Sequence, residues 1–179
     1  MRYQWTIAHT WDGLPVSEPT PTVVSLELTD AGYADLKVTA PFYGDPAPPS
    51  SPGSLWGLWE FEVVELFIVG TDGPYVEIEL GPHGHYLVLR LDAPRSIVER
   101  HLEVDASTQI NGKSWTGSIS LKRDLLPTVL STANAFAING TGASRRYLAH
   151  SAVPGKQPNF HQPGLFPPMR DALTRSTSE

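Results

Sequence analysis

Short stretches of alternating apolar and polar residues recur along this chain, and turn-forming residues bound each of them. The clearest is Tyr75–Leu80, where every second residue from Val76 is apolar while Glu77 and Glu79 fall on the opposite side of an extended strand. Such segments predict ten strands: Tyr3–His9, Thr22–Leu28, Ala34–Thr39, Glu62–Val69, Tyr75–Leu80, His85–Leu91, Val98–Val104, Ser114–Leu121, Ala135–Asn139 and Arg145–His150.

Many short strands at regular spacing predict an all-β fold, either a sandwich or a barrel. Asp72-Gly73 and the run from Gly81 to Gly84 are typical of turns between antiparallel neighbours, and Asn111-Gly112 predicts a type I′ hairpin with two positive φ angles. A short helix is possible only over Lys122–Leu130, where Pro127 restricts it.

The length of 179 residues fits one domain, expected over residues 1–170, with a flexible tail over residues 171–179. Pro41–Gly53 contains five prolines and is therefore expected to be an ordered loop or a lid over one end of the sandwich. Neither segment resembles a linker between domains.

Composition removes several classes of function. The formal net charge of −6 provides no overall positive field for nucleic acid or an anionic membrane surface. The absence of cysteine excludes disulfides, a thiolate nucleophile and cysteine-ligated zinc. Residues 1–13 lack the pattern of a secretory signal, and no apolar stretch reaches the roughly 18 residues of a membrane span, so we expect a cytoplasmic protein.

The polar faces of two neighbouring predicted strands carry carboxyl groups. Glu65 lies between Val63 and Phe67 on one strand face, and a hairpin would place it beside Glu77 or Glu79. A carboxylate among apolar neighbours requires an arginine, a hydroxyl-rich ligand or a metal unless the face is open to water. Possible counterions within the chain are Arg90, Arg145 and Arg146.

Aromatic and polar side chains flank this strand pair in the sequence. Trp56 and Trp59 precede the strand of Glu65, and indole rings stack on the C–H faces of sugars, although either ring could instead fill the core. Asn159 and His161 lie in a turn-rich segment near the C-terminus that could hold both side chains over one end of the sheet.

His83 and His85 are a weaker alternative, a metal site built together with Glu77 or Glu79 and His161. Turn histidines more often form hydrogen bonds than bind metal, so we expect no metal ion. No cofactor is expected either.

Three stretches together indicate a family: Trp59–Ile68, Tyr75–Gly84, and the close Phe160-His161-Gln162-Pro163. They resemble the DOMON-like, family 9 carbohydrate-binding module superfamily. Within it the chain is most similar to a widespread uncharacterised family of stand-alone proteins that shares the His9–Gly13 opening and the Ala40–Pro46 loop.

This resemblance implies a jelly-roll-like β-sandwich of two antiparallel sheets. In the sugar-binding modules a glutamate, an arginine and two tryptophans carry recognition, which by position implies Glu65, Arg145 or Arg146, and Trp59. No tryptophan follows Asn159, so Phe160 or His161 would have to form the second clamp. Haem-binding relatives hold iron with methionine and histidine, and here the only methionines, Met1 and Met169, lie near the termini.

Three functions remain open at this stage. The first is non-catalytic binding of a small polyhydroxylated or carbohydrate ligand. The second is a hydrolase with paired glutamates chosen from Glu65, Glu77 and Glu79, or with a histidine and glutamate metal site. The third is a protein-interaction module that uses strand edges or the proline-rich loop. The ligand and the oligomeric state do not follow from the residues.

Overall fold

The computed structural model describes residues 1–18 and 20–174 of the chain. Its regular elements are β-strands and short 3₁₀ helices. The strands are β1 (Arg2–Ile7), β2 (His9–Thr10), β3 (Thr22–Leu28), β4 (Tyr33–Pro41), β5 (Gly53–Ser54), β6 (Val63–Gly70), β7 (Tyr75–Leu80), β8 (His85–Ala93), β9 (Ser96–Glu99), β10 (Asp105–Asn111), β11 (Ser114–Lys122), β12 (Leu130–Asn139) and β13 (Arg146–Ala149). The 3₁₀ helices are Leu58–Glu60, Arg123–Leu125, Gly142–Ser144, Pro163–Leu165 and Met169–Ala172.

The strands form two sheets that pack as a sandwich, as the sequence predicts. The smaller sheet has the order β1-β3-β4-β11-β10, and the larger has the order β2-β13-β12-β6-β7-β8-β5, with β9 added beside β8. The pairings are antiparallel except for the two-residue parallel contact between β5 and β8.

The core between the sheets follows the predicted alternation. Val64, Leu66 and Ile68 of β6 are buried there together with the apolar residues of β7, and Trp5 and Trp115 of the smaller sheet each expose 1% of their surface. Burial of these side chains is the main stabilising contribution to a fold of this kind.

A second apolar layer covers the other face of the larger sheet. Val63, Phe67 and Val69 of β6 point away from the core between the sheets, yet all three are buried. They pack against loop residues that include Phe160 and Phe166. The larger sheet is therefore buried on both faces, and its outer face is where a site can be built.

Most predicted strands match the structure, and Thr22–Leu28 and Tyr75–Leu80 match it to the residue. The predicted strand Val98–Val104 is wrong, because β9 ends at Glu99 and His101 adopts a positive φ of 56°. Strand β10 was not predicted, since this exposed edge strand has no apolar face long enough to give a pattern.

Two further local predictions need correction. Lys122–Leu130 is not a helix beyond the 3₁₀ segment Arg123–Leu125, because Leu130 already begins β12. The β10–β11 hairpin pairs Asn111 with Ser114, and of the two residues between them only Gly112, with a φ of 61°, is left-handed. This fits a type II′ turn, not type I′, because type I′ needs positive φ at both central residues.

The proline-rich segment is an ordered loop. The carboxylate of Glu62, just before β6, accepts hydrogen bonds from the backbone N–H groups of Tyr43 (3.1 Å) and Asp45 (3.4 Å). The Asp45 carboxylate accepts one from the N–H of Gly140, just after β12 (2.6 Å). These bonds tie the loop to one end of the larger sheet.

The expected tail over residues 171–179 is packed where it is described. Ala172 exposes 8% of its surface, and the N–H of Thr174 donates to the carbonyl of Arg2 at 3.0 Å. The remainder of that tail, residues 175–179, lies outside the described residues. Within the described part of the chain, no helix has the length and apolarity to cross a bilayer.

Candidate binding pocket

A pocket of about 330 Å³ opens on the outer face of the larger sheet. Strands β6, β7, β8 and β12 form its floor, and its walls come from the segment before β6, the β8–β9 turn and the loop that covers the sheet. The floor residues are Glu65, Phe67, Glu77, Leu89 and Ile138, and the wall residues are Trp56, Trp59, Arg95, Ile97, Tyr147, Pro158, Asn159, Phe160 and His161.

Three carboxyl groups meet at the floor, and we call Glu65, Glu77 and Glu79 the carboxyl triad. Glu65 of β6 pairs directly with Glu79 of β7, and Glu77 lies two residues along the same face. One carboxyl oxygen of each lies within 4.8 Å of those of the other two. The three residues expose 2%, 3% and 0% of their surface, so the predicted face is not solvated.

Burial raises the pKa of each carboxyl group of the triad. Burial raises the pKa of Glu77 to about 8, against a hydrogen bond with Glu79 and the charge of Arg95. Burial also raises the pKa of Glu65, with repulsion from Glu77 adding to it and Arg145 opposing it. The same burial and the charges of Glu65 and Glu77 raise the pKa of Glu79.

Protonation also resolves a conflict in hydrogen bonding. Glu77 Oε2 and both Glu79 carboxyl oxygens are buried, and no hydrogen-bond donor reaches them from the described residues. When all three groups are ionised, these oxygens carry an uncompensated cost of desolvation. A proton held between Glu77 and Glu79 removes part of that cost because one carboxyl then donates to the other.

Two indole rings form one wall. Trp56 and Trp59 are perpendicular, with ring centroids 5.0 Å apart, and Trp56 remains 44% exposed. Gly57 between them has a φ of 84°, a left-handed conformation that begins the 3₁₀ helix Leu58–Glu60. The Arg100 guanidinium lies 5.5 Å from the centroid of the Trp56 ring.

Arg145 holds this wall in place from behind. Its guanidinium donates to the backbone carbonyls of Trp59, Glu60 (2.9 Å) and Gly140 (3.1 Å). It does not line the pocket. It forms no ion pair with Glu65 within 4.0 Å, so its effect on Glu65 is through charge alone.

His161 and Asn159 also line the pocket. The His161 Nδ1 atom shares a hydrogen bond with the Tyr75 hydroxyl at 2.8 Å, and its Nε2 atom lies 3.8 Å from Glu77 Oε2. Burial, followed by the charge of Arg95, lowers the pKa of His161 to about 4. The imidazole is therefore neutral at pH 7, and its approach to Glu77 is not an ion pair. Asn159 Oδ1 accepts a hydrogen bond from the Arg95 guanidinium at 3.0 Å.

The structure brings most of the predicted site residues together but not Arg146. That side chain pairs with Glu18 at 2.5 Å and lies over the ring of Tyr43, away from the pocket. Arg90 likewise pairs with Glu99. The internal counterion expected for Glu65 is therefore absent within ion-pair distance among the described residues.

The sequence interpretation missed Arg95 and Tyr147. Arg95 lies in the turn between β8 and β9 with a φ of 63°, and it meets Asn159 across 64 residues of sequence. Tyr147 carries a wall position on β13. No local sequence pattern marks either residue. The left-handed conformation of Arg95, which is uncommon for a residue other than glycine, is visible only in the three-dimensional structure.

His83 and His85 lie outside the triad. The Nε2 atom of His85 is 3.1 Å from the carbonyl oxygen of Ser50, and the His83 ring packs edge-on against Phe42. Among the described residues, the group whose donor atoms are close enough to hold a metal ion is the triad itself, without either histidine.

No protein-family model matches the sequence. The chain is 36% identical over 171 residues to the UPF0462 protein C4orf33 homolog of Rattus norvegicus, covering 90% of this chain and 85% of that protein. It is 34% identical over 169 residues to the Danio rerio homolog (89% and 85%). It is 36% identical over 164 residues to the UPF0462 protein C4orf33 of Homo sapiens (87% and 81%).

One solved structure shares the fold. It is the crystal structure of "a putative carbohydrate-binding protein" from Bacteroides uniformis, which superposes with a TM-score of 0.60. The match covers 93% of this chain and 84% of that one at 15% sequence identity. At this identity the likeness establishes the two-sheet β architecture and nothing finer.

Proposed function

The chain belongs to the UPF0462 protein family, and we propose that it binds a small polyhydroxylated ligand, of the carbohydrate class, without catalysis. The ligand would occupy the pocket on the outer face of the larger sheet. The observation that carries this proposal is the joining of indole walls to a buried polar floor in one pocket of about 330 Å³.

Each part of the pocket suits a sugar ring. The faces of Trp56 and Trp59 offer flat apolar surface to sugar C–H groups, while floor and rim groups can bind hydroxyls. A protonated carboxyl both donates and accepts hydrogen bonds, as does neutral imidazole, so Glu65, Glu77 and His161 can meet hydroxyls of either orientation.

Two likenesses support the same class of ligand. The Bacteroides uniformis protein that shares the fold is named "a putative carbohydrate-binding protein". The resemblance to the DOMON-like, family 9 module superfamily implies a sugar site at Glu65 and Trp59, and both residues line this pocket. Phe160 and His161, either of which would have to form the second clamp according to the resemblance, also line the pocket.

A hydrolase with paired glutamates is a second candidate because the carboxyl oxygens of Glu65 and Glu77 lie within 4.8 Å, close to the roughly 5 Å of a retaining glycosidase. That mechanism needs one ionised carboxylate as nucleophile. Burial raises the pKa of both groups, and among residues 1–18 and 20–174 no lysine or arginine forms an ion pair with either one. Binding therefore fits the site better than hydrolysis.

Titration calorimetry against a panel of monosaccharides and oligosaccharides tests the proposal. We expect saturable binding without product formation, weakened at least about fivefold by Trp56→Ala, since aromatic stacking contributes on the order of 1 kcal/mol. Tyr33→Ala is the matched control, because Tyr33 and Trp56 are both 44% exposed but Tyr33 lies on the smaller sheet. Equal weakening by both variants, or no binding by the wild type, would contradict the proposal.

A further inference from the structure

Glu65 and Glu77 line the floor of the pocket, and Glu79 lies next to them in the sheet. The only basic group within 4.0 Å of the triad among the described residues is the His161 imidazole, which is neutral at pH 7. Arg145 is occupied by backbone carbonyls, and Arg95 donates to Asn159 at the rim. The floor is acidic, buried and unpaired.

Neutral hydroxyls alone do not account for such a floor. Asparagine, glutamine or serine can bind hydroxyls, and a buried amide costs far less to desolvate than a carboxylate. The desolvation cost of a buried carboxylate is offset when a positive charge pairs with it in good geometry. Glu77 lines the pocket with an unpartnered Oε2 atom, and Glu79 lies directly behind with both oxygens unpartnered.

From this geometry we infer that the ligand carries a protonated amino group, seated on the floor between Glu65 and Glu77, and that the ligand class is an amino sugar. The inference rests on the proposed function and narrows it. Glu79 does not line the pocket. It acts as a positioning residue, because its protonated carboxyl donates a hydrogen bond to Glu77.

The spacing of the triad suits an ammonium group. An ammonium nitrogen directs three N–H bonds tetrahedrally, and acceptors at about 2.8 Å from it lie about 4.6 Å from one another. One carboxyl oxygen of Glu65 and one of Glu77, the two members of the triad that line the pocket, lie within 4.8 Å of each other. The aromatic walls add a favourable contact, because a desolvated cation is attracted to the faces of rings such as those of Trp59 and Tyr147.

Seating the amino group changes the protonation of the floor. The groups that face Glu77 are Glu65, Glu79, His161, Arg95 and the Tyr75 hydroxyl. An ammonium group beside Glu77 favours the ionised form of this carboxyl, whose pKa burial raises to about 8. Binding at pH 7 therefore releases a proton from Glu77 to the buffer, while the Glu79 proton stays in its hydrogen bond to Glu77.

Calorimetry with matched pairs of ligands tests the inference on the full chain at pH 7. The probes are glucose, its 2-amino, 3-amino and 6-amino deoxy derivatives, and N-acetylglucosamine as a neutral amide. We expect at least one amino sugar to bind about tenfold tighter than glucose, as hydrogen bonds to charged groups allow. Buffers that differ in ionisation enthalpy should show that this binding, and not that of glucose, releases a proton.

Variants separate the floor from the rest of the fold. Glu77→Gln should abolish the preference, so that this variant binds the amino sugar no more tightly than it binds glucose. Glu62→Gln is the matched control, because Glu62 is also a buried carboxyl, 5% exposed, but anchors the proline-rich loop instead. It should keep the preference.

Each contrary result has a distinct meaning. Equal binding of glucose and its amino derivatives overturns the inference and leaves the proposed function standing, whereas no sugar binding at all overturns both. Stabilisation by a divalent cation alone also overturns it. If Glu77→Gln does not fold, Glu65→Gln and proton release by the wild type decide the question.

Discussion

Both sheets consist mainly of antiparallel strands, but their outer faces differ in exposure to water. On the smaller sheet, Lys37, Thr39 and Thr116 stand exposed to water, as the polar half of an alternating strand usually does. On the larger sheet, the equivalent half contains the carboxyl triad and Phe67, all buried. Polar residues on the open face form hydrogen bonds with water, whereas those on the covered face require partners from the protein or from a ligand.

The outer face of the larger sheet forms a candidate site because loop residues cover it. Loop residues such as Phe160 exclude water from the sheet, and that exclusion both encloses the pocket and raises the pKa values of the triad. Polar groups in a dry, enclosed place interact more strongly with a ligand than the same groups on an open surface.

The largest effect on stability should come from the aromatic layer of the covered face. Phe136 is fully buried and stacks on Phe160 with centroids 4.0 Å apart. Phe136→Ala should therefore lower the free energy of unfolding by about 3–5 kcal/mol in urea titrations. Thr116→Ala on the open face should change it by less than about 0.5 kcal/mol. Similar losses from both would show that the two faces contribute alike.

The next effect is a dependence of stability on pH. Because the folded-state pKa of Glu77, about 8, lies above its usual 4.5, the folded protein binds more protons than the unfolded chain between these values. The contribution of Glu77 to stability is thus complete below pH 4.5 and is lost as pH rises to 8, at about 1.4 kcal/mol per pH unit for one proton.

Urea unfolding between pH 6.5 and 8 tests this effect, because the contribution of His161 to the pH dependence of stability declines as pH rises through its unfolded-state value of 6.5. Glu65 and Glu79, whose pKa values burial also raises, add to the slope, so the comparison with a variant assigns the share of Glu77. Glu77→Gln should reduce the slope of unfolding free energy against pH. Glu27→Gln, which changes an exposed carboxyl on the smaller sheet, should leave the slope as in the wild type. A wild type equally stable across the window would mean that the triad is not held protonated.

A smaller effect should follow from loosening the indole wall. Arg145→Lys replaces a planar fork that reaches several carbonyls by a single ammonium, and we expect a loss of about 2 kcal/mol together with weaker ligand binding. Arg90→Lys is the control, since its pair with Glu99 is about half exposed and should contribute less than about 1 kcal/mol. Equal effects would indicate that Arg145 is an ordinary surface residue.

Local pattern predicted most of the fold. Turn residues and alternation placed β3 and β7 correctly to the residue. The predicted β6–β7 hairpin put Glu65 beside Glu77 or Glu79, and the structure pairs it with Glu79. The exposed edge strand β10 escaped because alternation is visible only where one face is buried. The strand predicted over Val98–Val104 was wrong because β9 ends at Glu99 and His101 adopts a left-handed φ of 56°, which interrupts the extended backbone.

The site was predictable in part. The triad and the two tryptophans were found because strand periodicity and proximity in sequence disclose them. Arg95 and Tyr147 were not, because they reach the pocket through contacts between distant segments. Arg145 and Arg146 could not be told apart from sequence, since adjacent residues point in different directions and only the packing decides which one meets the Trp59 carbonyl.

The sequence by itself determined most of the strands and which of their residues share a face, because a strand repeats every two residues whatever surrounds it. It did not determine whether the outer face of the larger sheet meets water. That depended on the tertiary packing of residues 151–166 over β6, β7 and β12, a contact between segments far apart in the chain. That packing buries Glu65, Glu77 and Glu79 and encloses the pocket that the first two of them line.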